Sequence, residues 1–163
     1  MYLKDFLLLA WVAFGMLGCQ ETIYTKQQSA FIVLKTPTFR YADMGFISEG
    51  KNGIKVEIYQ SGSVVMRMKL SPNTVCFSTL ECLSRASFNE RVLSALYPES
   101  LLEDIFRQKA IFNGLNRQKI RNGFTQQLVK KGLYHIEYRV FNHEASFRDT
   151  INHIVIKVKR MTS

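Results

Sequence analysis

The chain has 163 residues, of which 47% are apolar and 21% charged. That balance excludes an intrinsically disordered chain, and the length sets one domain with a sizeable core. A formal net charge of +9 selects anionic partners: lipid headgroups, nucleic acid or an acidic protein face.

The first element is an uncharged apolar run, FLLLAWVAFGM, at residues 6–16, preceded by Lys4 and Asp5. It is shorter than the roughly 20 residues a membrane-spanning helix needs, and it fits the apolar stretch of a secretory signal. Met16-Leu17-Gly18-Cys19 follows and resembles a bacterial lipobox, although Leu17 is bulkier than the small residue usual at that place. The resemblance implies a signal peptide at residues 1–18, cleavage before Cys19, and acylation of Cys19 on its sulfur and its amine. Cysteine suits this chemistry because its thiolate can be alkylated. Three acyl chains exceed the two signals that stable anchoring takes. Gln20, in place of Asp, implies retention in the outer membrane, at its periplasmic face. Lys4 and Asp5 cancel, so the cleaved chain keeps its excess of positive charge. Export argues against nucleic acid as the partner.

Residues 19–28 read as a lipidated polar tether and residues 29–163 as the folded domain. Strands are expected at residues 31–35 and, beyond Pro37, at 39–47. The clearest hairpin is IKVEIYQSGSVVMRMKL. Ile54, Val56 and Ile58 alternate with polar neighbours. After the Ser61-Gly62 turn, Val64, Met66, Met68 and Leu70 do the same. Cys76 and Cys82 then stand with five residues between them. In an exported domain that spacing predicts a disulfide, and no histidine lies near enough for a zinc site.

Two helices come next. Ser87-Phe88-Asn89-Glu90 fits a capping box, followed by Phe88, Val92, Ala95 and Leu96 at helical spacing. Beyond Tyr97-Pro98, Leu101, Leu102, Ile105 and Phe106 form a second apolar stripe. Acidic residues at its start and basic residues at its end suit the helix dipole. Strands return at 123–130, at 134–140 with Tyr134, Ile136 and Tyr138 on one face, and at 154–159. Strands, two helices and strands again define an α+β fold: a curled antiparallel sheet with helices on one face.

No constellation points to an enzyme. His135, His143 and His153 share no metal-ligand spacing, and neither a nucleophile elbow nor a phosphate loop occurs. No cofactor is expected. The methionines and aromatics of the strands suit a different task, because Met adapts to flexible apolar ligands. The plainer reading is that they fill the core.

Beyond the lipobox, the order of elements and the spacing of Pro98, Leu101, Leu102, Ile105 and Phe106 resemble the LolA/LolB family of bacterial lipoprotein carriers and outer-membrane lipoprotein receptors. The likeness spans Phe39 to Arg160, element by element. The lipobox favours the receptor, since the carrier is not acylated. The resemblance implies an incomplete antiparallel barrel with a helical lid over an apolar cavity. Such a protein would take the acyl chains of lipoproteins, or of phospholipids, from a periplasmic carrier and deliver them to the membrane as a monomer. Burying hydrocarbon is worth about 0.8 kcal/mol per CH₂, so the chains need cover throughout transfer. Candidate cavity residues are Ile54, Val56, Ile58, Val64, Met66 and Met68 from the hairpin. Leu102 and Phe106 from the second helix, with Tyr134, Ile136 and Tyr138 from a later strand, complete the set. The family's protruding membrane-delivery loop maps to residues 70–75 without its exposed leucine, so Val75, Phe77 or Leu80 is expected in that role.

A second class of function is a structural or adaptor lipoprotein that binds another envelope protein through its sheet surface. An empty cavity beneath the helices would favour lipid handling. A filled core with an apolar surface patch would favour the adaptor.

Overall fold

The computed structural model describes residues 22–78 and 81–162. The predicted signal peptide, Cys19 and Leu80 lie outside these residues.

Eleven strands form one antiparallel sheet. Six precede the helices: β1 (Tyr24–Lys35), β2 (Arg40–Gly50), β3 (Gly53–Gln60), β4 (Ser63–Leu70), β5 (Thr74–Phe77) and β6 (Glu81–Ser84). Two short helices follow, α1 (Arg85–Val92) and α2 (Leu101–Phe106). The rest are β7 (Arg117–Ile120), β8 (Gly123–Lys130), β9 (Tyr134–Phe141), β10 (Glu144–Asp149) and β11 (Ile154–Arg160). The spatial order is β6-β5-β4-β3-β2-β1-β11-β10-β9-β8-β7. The sheet is therefore open. Its two edge strands, β6 and β7, are consecutive in sequence, so the helical connection at residues 85–116 runs from one edge to the other. This is the expected curled antiparallel sheet with helices on one face, but its helical part is small.

Alternation explains why these segments are strands. In β3, β4, β9 and β11 apolar side chains occupy every second place and pack inward. The turn between β3 and β4 holds Ser61 and Gly62 at φ 50° and 80°, the left-handed pair that a two-residue hairpin requires. The core side chains run from Ala30 to Val158.

Several sequence expectations need correction. The tether read at residues 19–28 is shorter, because Tyr24–Gln28 already pair with β2. Their polar side chains hid a strand whose backbone has a long partner. The first helix begins at Arg85, not beyond Ser87. Ser84 caps it, its hydroxyl accepting from the Ser87 amide at 3.1 Å. That helix ends at Val92, leaving Leu96 44% exposed. Four short strands, β5, β6, β7 and β10, were not expected. Cys76 and Cys82 do form a disulfide, and they face each other across β5 and β6.

Candidate functional site

The inner face of the sheet can be followed strand by strand through its register. One row crosses from Gln126 through Tyr138, Phe147 and Ile156 to Leu34. On the other half, Ile47 faces Val56, which faces Met68. Together these rows make a nearly continuous apolar wall. Against it the helical connection lays Phe88, Tyr97, Leu101, Leu102, Ile105 and Phe106, all buried.

Most of the predicted cavity residues share this wall. Ile54, Val56, Ile58, Met66, Met68, Leu102, Phe106, Ile136 and Tyr138 are each at most 3% exposed. Tyr134 is half-buried and packs against the same cluster. Val64 does not belong to it. The register slips between Ile58 and Tyr59, so Tyr59 faces Val64. This bulge reverses the parity of the first turn of β4 and leaves Val64 38% exposed on the outer face.

The wall is covered by the chain itself. The predicted cavity side chains and those of the connection form a single packed cluster. Side chains of residues 88–111 thus lie over the wall.

Polar contacts fasten that connection at both rims. At the rim formed by the end of β2, Arg107 donates to the Gly50 carbonyl at 2.8 Å and to Glu103 at 2.9 Å, and lies 3.4 Å from Glu49. Arg160 pairs with Glu49 and donates to the Phe106 carbonyl at 2.6 Å. Arg85 joins Glu103 at 2.7 Å and the Ser71 carbonyl at 2.8 Å. At the opposite rim the Tyr97 hydroxyl donates to Asp149 at 2.5 Å. The Gln126 side chain donates to the carbonyl of Ile111 at 2.9 Å and accepts from the Ile111 amide at 2.8 Å. Tyr138 donates to the Lys109 carbonyl at 2.9 Å.

These contacts set the electrostatics. Burial alone would raise Glu103, but hydrogen bonds from Arg85 and Arg107 outweigh it and hold the carboxyl below its ordinary value. Burial works against Asp149 too, and is outweighed by Tyr97, Asn152 and the amides of His135 and Ile151. Burial pushes the Tyr97 and Tyr138 hydroxyls well up, keeping both as donors. Asp104 is raised, chiefly by burial.

The expected membrane-delivery loop is not a protruding loop in its described part. Val75 sits in β5 and is 3% exposed, packed in the core. Phe77 is half-buried and stacks on Phe39 with ring centres 4.9 Å apart. Among the described residues no group of His, Cys, Asp or Glu is placed to hold a metal ion. No protein-family model matches the chain, and no curated protein matches it either.

Proposed function

We propose that this is an outer-membrane lipoprotein, anchored through Cys19, that shelters acyl chains of lipoproteins or phospholipids on the inner wall of its open sheet. One observation carries the reading. A continuous apolar wall is spanned by a single helical connection, fastened at its rims by the side chains of Arg107, Arg160, Glu49, Tyr97 and Gln126. Polar rim contacts can be exchanged for water when a cover lifts, so they suit a movable lid as well as a fixed one. In this scheme the connection acts as a lid. The filled interior is the resting state, and an incoming acyl chain replaces Leu102 and Phe106 against the wall. A periplasmic carrier supplies the chain, no covalent bond changes, and the protein acts as a monomer.

The filled wall and the apolar side chains exposed on the outer face of the sheet are what the adaptor reading expects, so the acyl reading depends on the connection lifting. Native mass spectrometry of the chain from Gln20 onward, mixed with phospholipids and acylated lipoproteins, separates the two. Stoichiometric adducts that weaken when Met68→Lys or Ile58→Lys alters the wall support acyl binding. No adduct with either ligand class, from a folded domain, leaves the adaptor.

A further inference from the structure

The outer face of the same sheet carries a pattern that acyl sheltering does not use. Phe31 in β1 faces Met44 in β2, and both point outward, 38% and 40% exposed. Phe46, also 38% exposed, meets the Tyr59 ring edge-on at 5.6 Å. Tyr59 in turn faces Val64 of β4, outward because of the bulge. An apolar band therefore crosses four neighbouring strands.

Cations continue the face on the other side. Phe31 lies opposite Lys159 of β11. Lys157 is followed across the strands by Ser146 and then Arg139, and Arg148 stands between Val155 and Glu137. Arg117, Arg139, Arg148 and Lys157 line an open polar groove of about 1010 Å³, with Glu137 and Glu144 in the same lining. Among the described residues, no ion pair involves any of these four cations.

We propose that the outer face of the sheet is a membrane-contact face, its apolar band resting among lipid chains and its cationic groove receiving the phosphates of anionic lipids. Charge decides for an anionic partner. Proximity decides for a bilayer. Four residues, 20–23, separate Cys19 from the start of β1 at Tyr24, five steps along the chain that reach about 17 Å when extended. An acylated domain on that tether meets a bilayer before any soluble partner. The proximity argument rests on the anchor proposed above; the pattern on the face does not.

The test uses the chain from Gln20 onward, which has no signal segment or acyl group, and sedimentation with vesicles. Binding is expected to phosphatidylcholine vesicles containing phosphatidylglycerol, and to weaken as salt rises. Arg139→Gln, Arg148→Gln and Lys157→Gln together should weaken it about fivefold per cation removed. Phe31→Ser with Phe46→Ser should weaken it about tenfold or more. The cation variant alters exposed side chains, so its thermal unfolding should be nearly unchanged; the Phe variant also loses the Phe46–Tyr59 contact and is compared at a temperature where circular dichroism shows it folded. Failure of the parent chain to bind anionic vesicles overturns the proposal. So does binding that neither variant weakens, or capture of an acidic protein without any vesicle binding. Acyl adducts measured on the same variants should persist. Their absence from the parent chain, with vesicle binding intact, defeats the acyl-sheltering reading alone.

Discussion

Arg160, the last residue of β11, donates to the carbonyl of Phe106, the last residue of α2, at 2.6 Å. The bond ties the helical connection to the middle of the sheet, and Glu49 balances the charge by pairing with both Arg160 and Arg107. Glu49→Gln leaves Arg160 without a carboxylate partner and Arg107 with Glu103 alone. The expected cost is about 1–3 kcal/mol, the scale of a buried charged hydrogen bond lost. The connection should also lift more often, exposing the wall. Urea unfolding reads the first effect, and increased binding of an apolar fluorescent dye under native conditions reads the second. A stability loss with no gain in dye binding would mean that this rim does not govern opening.

At the opposite rim, Tyr97 places its hydroxyl on Asp149. Tyr97→Phe keeps the ring, which packs edge-on against Phe147 at 5.9 Å, and removes only the donor. Asp149 keeps Asn152 and the backbone amides of His135 and Ile151. The variant should therefore lose about 1–2 kcal/mol, near the low end for an impaired buried group. Thermal unfolding measures it. A neutral result would show that the remaining donors suffice.

The disulfide closes a hairpin at the sheet edge, with Cys76 and Cys82 six positions apart. A loop that short constrains the unfolded chain little, so Cys76→Ser with Cys82→Ser should cost about 2 kcal/mol or less. The midpoint in urea should fall while the slope stays unchanged. Since β6 is an edge strand, the variant should also show faster amide exchange confined to β5 and β6.

What could be read from the sequence follows the strength of alternation. The hairpin of β3 and β4 was legible because apolar side chains occupy every second place and Ser61-Gly62 marks its turn. Strands β9 and β11 were legible for the same reason; β8, whose inward places hold Phe124, Gln126 and Leu128, showed only as a candidate. β10, in which Ser146 and Arg148 alternate with Ala145 and Phe147, is too short to stand out. β7, Arg117–Ile120, has three polar residues in a row, so only backbone pairing with β8 reveals it. The residues named for a cavity lie on the inner face except Val64, where the bulge changed parity, and no local signal in the Tyr59–Val65 stretch marks a bulge. The fasteners were not legible at all. Glu49, Arg107 and Arg160 are scattered along the chain, and only the fold brings them together.

Acid should loosen the same fasteners. Glu103 and Asp149 are held below their ordinary values in the fold, so the unfolded chain takes up protons first as pH falls. Their contribution to stability is full above the unfolded values, about 4.3 and 3.9, and is lost as pH falls through the folded ones. Asp104, raised by burial, acts oppositely: its share is present below the unfolded value and is lost as pH rises through the folded one. Because the lowered carboxyls outnumber it, unfolding temperature should drop as pH falls below about 4. Glu103→Gln should flatten that limb, while Asp104→Asn should raise stability at neutral pH and leave the acid limb steeper. Calorimetry across this range decides it. An acid limb of unchanged slope in Glu103→Gln would show that Arg85 and Arg107 do not stabilise the fold through the Glu103 charge.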